Sequence, residues 1–179
     1  MPMKSFETSV IINAPQETVY SYVADFPRHM EWNHSPKRMV ALQDGPVQVG
    51  SKFQTDEDGP SNAPAMQKIM FAVAQPVMKL LFGAADYTVA EITALEPNQR
   101  VAWKAHLPST RKGDLMRMKW EIRLQDQNGA TEVTQACEMA PPDTSPLKGM
   151  VNDDLAKQNQ AETAANLQRL KSILESQNG

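Results

Sequence analysis

From Met116 to Leu124 apolar and polar side chains alternate. Met116, Met118, Trp120, Ile122 and Leu124 fall on one parity, and Arg117, Lys119, Glu121 and Arg123 on the other. A period of two over 114–125 predicts a strand with one buried and one wet face, as antiparallel sheets allow. Weaker runs of the same kind predict strands at 5–13, 37–43, 50–55, 86–95, 100–107 and 131–139. Thr8, Val10 and Ile12 share a face in the first. Val101, Trp103, Ala105 and Leu107 share one at 100–107, and Val133, Gln135, Cys137 and Met139 share one in the last. Asp126-Gln127-Asn128-Gly129 is the turn before that last strand.

Helical spacing occurs in three places. Val19, Tyr20, Tyr22 and Val23 follow Pro15, whose fixed φ and missing N–H suit a helix start, and Pro27 ends the pattern. A second short helical turn is predicted over 27–33. The run AMQKIMFAVAQPVMKLLFG, within a helical insertion predicted at 64–83, is apolar nearly all round, with Gln67, Lys68, Gln75 and Lys79 as its polar side chains. Pro76 inside it predicts a kink or two short helices. A long helix is predicted from 147 or 151 to 174. Its inward stripe is Val151, Leu155, Ala161, Ala164, Leu167, Leu170 and Leu174, interrupted at Gln158-Asn159. Leucine-rich at one end and small or polar in the middle, such a helix would close tightly at one end and roof a cavity at the other.

The order of elements is therefore strand, two short helices, six further strands around a helical insertion, and a long terminal helix: an α+β domain. Ile12-Asn13-Ala14-Pro15 with Glu17 and Val19, then Asp25-Phe26-Pro27, Trp32, Gly50 and the Leu167 to Leu174 end of the helix resemble the START-like (SRPBCC) superfamily. The likeness is to its bacterial polyketide cyclase/dehydrase and lipid-transport-type branch. The resemblance implies a helix-grip fold, in which a curved antiparallel sheet grips the C-terminal helix around an apolar cavity. It does not name the occupant, because members range from cyclases to carriers to chaperone cofactors. The apolar insertion departs from the family pattern.

Size and composition narrow the function classes. At 179 residues one domain spanning 1–179 is the simplest expectation, burying roughly two thirds of its unfolded surface. A net charge of −3 offers no basic field for nucleic acid. The lone Cys137 excludes an internal disulfide framework. With no apolar run of signal-peptide or membrane-spanning length, the expected location is cytoplasmic. Peripheral membrane contact through the insertion, bracketed by Lys68 and Lys79, stays open, as does the oligomeric state.

Candidate chemistry is sparse. His29 and His34 lie near Asp25 and Glu31 in a turn that reads as solvated, and His106 falls on an outward parity, so neither a metal nor any other cofactor is expected. No nucleophile elbow or phosphate-binding loop is present. The weak acid–base candidates are His34, Asp114 and Tyr87. The expected ligand-binding positions are Trp32, Trp103, Met116, Met118, Trp120, Gln135, Cys137, Gln158 and Asn159. Gln135, Gln158 and Asn159 are polar groups costly to bury unpaired. Ile69, Met70, Val73, Val77 and Leu81 are expected to form a lid. The reading is a cavity that sequesters a small hydrophobic molecule of lipid-, polyketide- or isoprenoid-like kind. A cyclase or dehydratase is the alternative, and a protein–protein adaptor using the apolar helix at 66–82 is a second.

Overall fold

Asn128 and Gly129 both take positive φ, 58° and 96°. The two-residue loop they form is thus a primed hairpin turn, whose twist matches that of the strands it joins. Those strands are the sixth and seventh of a single seven-stranded antiparallel sheet. The structure is a computed structural model and describes residues 3–34, 36–57 and 76–177. The strands are β1 (Lys4–Ile12), β2 (Pro36–Ala41), β3 (Lys52–Glu57), β4 (Tyr87–Glu96), β5 (Arg100–Ser109), β6 (Gly113–Gln127) and β7 (Ala130–Ala140), lying in the order β1-β7-β6-β5-β4-β3-β2. Between β1 and β2 come α1 (Gln16–Ala24), a 3₁₀ turn (Phe26–Arg28) and α2 (His29–Trp32). Residues 76–82 are helical (α3), and α4 (Asp153–Gln177) closes the chain.

The alternation read from the sequence survives in the burial. Along β7, Thr131, Val133, Gln135, Cys137 and Met139 are buried, and the intervening residues are partly exposed. The outer face of the sheet carries cross-strand ion pairs, among them Arg123–Glu7 at 2.7 Å and Lys104–Glu91 at 3.0 Å. Each contributes little, being exposed to solvent. Register shifts at Ile92/Ala94 and at Leu107/Pro108 bend the strands, because an inserted residue kinks one strand of a pair and increases its twist. The sheet curves, and α1, α2 and α4 fill its inner side.

Three apolar clusters divide the interior. The largest joins α1, α2 and the Leu167, Leu170 and Leu174 end of α4 to the middle of the sheet. A second, with Phe6, Cys137, Met139, Val151 and Ala156, seals the other end of α4. The third packs Ala84, Leu115 and Leu147 against Met78 and Phe82 of α3. Two details of the expected stripe on α4 are corrected here. Ala161 is exposed, and the inward positions between the clusters are Thr163 and Asn166. Stepping back from Leu167 by four and eight residues gives Thr163 and Asn159, the true helical phase, whereas Ala161 lies well off it.

Candidate functional site

Between its two sealed ends α4 stands off the sheet, and the gap is a cavity of about 130 Å³. The sheet lines it with Met39, Thr55, Thr88, Ala90, Trp103, Ala105, Met118, Trp120 and Gln135. The short helices contribute Phe26, His29 and Asn33, and α4 contributes Asn159, Glu162, Thr163 and Asn166. Sheet register explains the aromatic wall. Trp103 on β5 pairs directly with Trp120 on β6, so their rings lie within 9° of parallel with centroids 6.0 Å apart. Phe26 meets Trp103 edge-on at 5.4 Å, a favoured aromatic geometry.

Polar groups make up more than half of the lining residues, and most have partners. The hydroxyls of Thr55 and Thr88, opposite each other on β3 and β4, are hydrogen-bonded. Asn166 donates to Asn33 Oδ1 at 3.0 Å and accepts from the His34 backbone N–H at 3.2 Å, tying α2 to α4 across one end of the cavity. Asn159 donates to the Leu155 carbonyl at 2.9 Å. Asn166 is buried, so Asn166→Ala, which removes both of these hydrogen bonds, is expected to cost about 1–3 kcal/mol in a urea unfolding titration.

Two lining groups stand apart. His29 is 2 % exposed; its Nε2–H donates to the Val23 carbonyl at 2.8 Å, which leaves Nδ1 as the acceptor of a neutral ring. Burial lowers its pKa from 6.5 to about 4, the backbone hydrogen bond opposing in part. Gln135 is 3 % exposed, and its Oε1 is buried without a hydrogen-bond partner among the described residues.

Five of the positions expected to bind ligand are thus brought together: Trp103, Met118, Trp120, Gln135 and Asn159. Four are placed elsewhere. Trp32 is fully buried in the core, its ring 4.9 Å from that of His29. Met116 and Cys137 pack under the sealed end of α4. Gln158 is exposed, because it precedes Leu167 by nine residues, about half a turn out of phase. Burial pushes the Cys137 thiol well above its ordinary pKa. Native protein is expected to react negligibly with a thiol reagent such as DTNB, and one equivalent should appear on unfolding.

The acid–base candidates also lie off the cavity. His34 is exposed, with Nδ1 3.2 Å from Arg169 Nη1. Tyr87 is exposed at the start of β4. Asp114 is paired with Arg117 at 2.9 Å and lies 4.0 Å from His106 Nε2. Between the pairs Leu107–Met116 and Pro108–Asp114 the register skips Leu115. That extra residue reverses the alternation, so Leu115 is the buried one and Asp114 joins the outward charges. Of the expected lid, Val77 and Leu81 are exposed on α3 and do not line the cavity; Ile69, Met70 and Val73 lie outside the described residues.

The residues that sequence reasoning missed are mostly polar. On α4 these are Glu162, Thr163 and Asn166, which with the expected Asn159 recur at three- and four-residue steps and form a helical stripe as regular as the leucines beside it. His29 is three residues from both Phe26 and Trp32, on the face that α2 buries. Among the described residues no three His, Cys, Asp or Glu side chains converge as a metal site would need, and no helix is long and apolar enough to cross a membrane.

Two solved structures with this architecture are distant in sequence. Ara h 8.0201 superposes with a TM-score of 0.64 at 8 % identity, over 98 % of this chain and 99 % of its own. The ZhuI aromatase/cyclase from Streptomyces sp. R1128 superposes with a TM-score of 0.66 at 14 % identity, over 99 % and 97 %. At such identities the likeness is one of fold. No curated protein matches the chain. The family described as polyketide cyclase / dehydrase and lipid transport matches residues 3–175. Helix-grip architecture and a match over nearly the whole length agree: the chain belongs to the polyketide cyclase / dehydrase and lipid transport family.

Proposed function

We propose that the chain is a single ligand-binding domain that holds one small, largely apolar molecule in the cavity between the sheet and the middle of α4. The observation that carries this reading is the aromatic wall of Trp103, Trp120 and Phe26 facing a partly open cavity of about 130 Å³. That volume is near the roughly 150 Å³ of an engineered apolar cavity that takes up benzene. It suits one ring or a short branched chain, a smaller occupant than an extended lipid or a multi-ring polyketide. Transfer of such a molecule from water gains about 0.8 kcal/mol per CH₂. With six to eight heavy atoms at under about 1 kcal/mol each, binding falls between millimolar and micromolar Kd.

Native mass spectrometry of freshly purified protein tests the proposal. A stoichiometric small adduct, lost in Trp103→Ala, is expected. Unliganded protein in every preparation, together with Trp resonances that no small cyclic compound shifts, would refute it.

A second reading draws on His29. A neutral imidazole fixed through Nε2 leaves Nδ1 to accept a proton from a bound molecule, as a cyclase or dehydratase requires. Under that reading His29→Asn retains binding and loses turnover on a supplied enolisable ketone. Equal turnover in the variant would remove His29 from the chemistry.

A further inference from the structure

The polar half of the cavity wall is unbalanced, and the imbalance points to the kind of molecule it accepts. Thr55 and Thr88 bond each other, Asn166 bonds α2, and Asn159 bonds its own helix. Gln135 has no such arrangement. It lies opposite Ile122 on β6 and one step along the inner face from Cys137, the partner of Trp120. Its Oε1 is buried and without a partner among the described residues. A buried carbonyl oxygen left without a donor costs about 1–3 kcal/mol. A molecule that supplies the donor recovers that cost, and one that does not leaves it in place. Charge narrows the choice further. No lysine or arginine lines the cavity among the described residues, and Glu162 does, so a carboxylate would lose its hydration with no cation to receive it.

We infer that the cavity selects an uncharged, ring-sized molecule bearing a hydroxyl or N–H, which donates to Gln135 Oε1 while its ring lies against Trp120 and Trp103. The inference rests on the binding reading above and sharpens it from an apolar occupant to a neutral hydrogen-bond donor. It also separates this cavity from one built for fatty acids, whose headgroup is an anion and an acceptor.

Four ring compounds of nearly one size test it on the full chain: phenol, which donates; anisole, which only accepts; toluene, which does neither; and benzoate, which is charged. Binding is followed through the indole N–H resonances of the tryptophans and by calorimetry. Phenol is expected to bind about ten-fold more tightly than anisole or toluene, the worth of one hydrogen bond to an otherwise unpaired group, and benzoate should show no saturable binding. In Gln135→Leu the advantage of phenol should vanish while toluene binds as well or better. Should that variant fail to fold, the comparison of phenol with anisole in the native protein still decides. Phenol no tighter than anisole, benzoate the tightest, or an advantage for phenol that persists in Gln135→Leu would each overturn the inference. Saturable toluene binding with no gain for phenol would overturn the selectivity and leave the binding reading standing; no response to any of the four would end both.

Discussion

Replacing Trp103 by alanine is expected to remove about 3–5 kcal/mol of folding stability, the range for deleting a large aromatic from a packed interior. The indole is 7 % exposed and touches three rings. Phe26 and His29 each lie 5.4 Å from it, Trp120 is stacked on it at 6.0 Å, and Phe26 in turn leans on Phe53 at 4.8 Å. Its removal joins the existing void to a second one of side-chain size, and the curved strands on either side are held by their ladders and cannot collapse into it. The cost should therefore fall in the upper part of the range, read as a lowered midpoint in guanidinium with an unchanged slope. Trp103→Phe, which keeps the apolar contact, should lose markedly less. If Trp103→Ala unfolds within 1 kcal/mol of the parent, to the precision such series allow, the aromatic wall is not a unit.

Between pH 6.5 and 4 acid should weaken the fold through the buried His29. Burial holds the His29 imidazole at a pKa of about 4 against 6.5 for a free histidine. Between those values the unfolded chain binds a proton that the folded chain refuses, so stability rises with pH across the interval. The contribution is complete above about pH 6.5 and is lost as pH falls to about 4, amounting to about 3 kcal/mol. Phe26, Trp32 and Trp103 surround the ring, and among the described residues no carboxylate opposes the effect of burial on it. Urea titrations at several pH values between 4 and 7 measure the slope. His29→Asn, of similar breadth and neutral throughout, should flatten this part of it. A variant with the same slope as the parent would place the acid sensitivity in other groups.

Much of the fold was legible because strand parity is strict. Met118, Trp120 and Ile122 could face only one way once the charged residues between them faced the other. The exceptions are places where a local event resets that parity. One extra residue at Leu115 turns Asp114 from the cavity to the ion pairs outside, and no feature of the sequence DLM announces a bulge. On α4 the difficulty was chemical. A stripe sought among apolar residues ran through Ala161, whereas the helix turns Asn159, Thr163 and Asn166 inward because each finds a partner or a void. The expected cavity wall accordingly held only Gln135, Gln158 and Asn159 as polar groups. Polar residues at helical spacing between two leucine-rich or aliphatic ends are the signal that would have located it. His29 and His34 look equivalent in sequence, and only the face shared with Phe26 and Trp32 separates the buried one from the exposed one.

The pairing of β1 with β7 carries a consequence for synthesis. Lys4 faces Met139 and Ile12 faces Thr131, so β1, made before the other strands of its sheet, finds its neighbour only after the five intervening strands have been made. Contacts so far apart along the chain are entropically expensive to close and slow to form. Until then Val10 and Ile12 have no counterpart on that side, and a nascent polypeptide halted before residue 130 should be a poor folder and a ready client for chaperones.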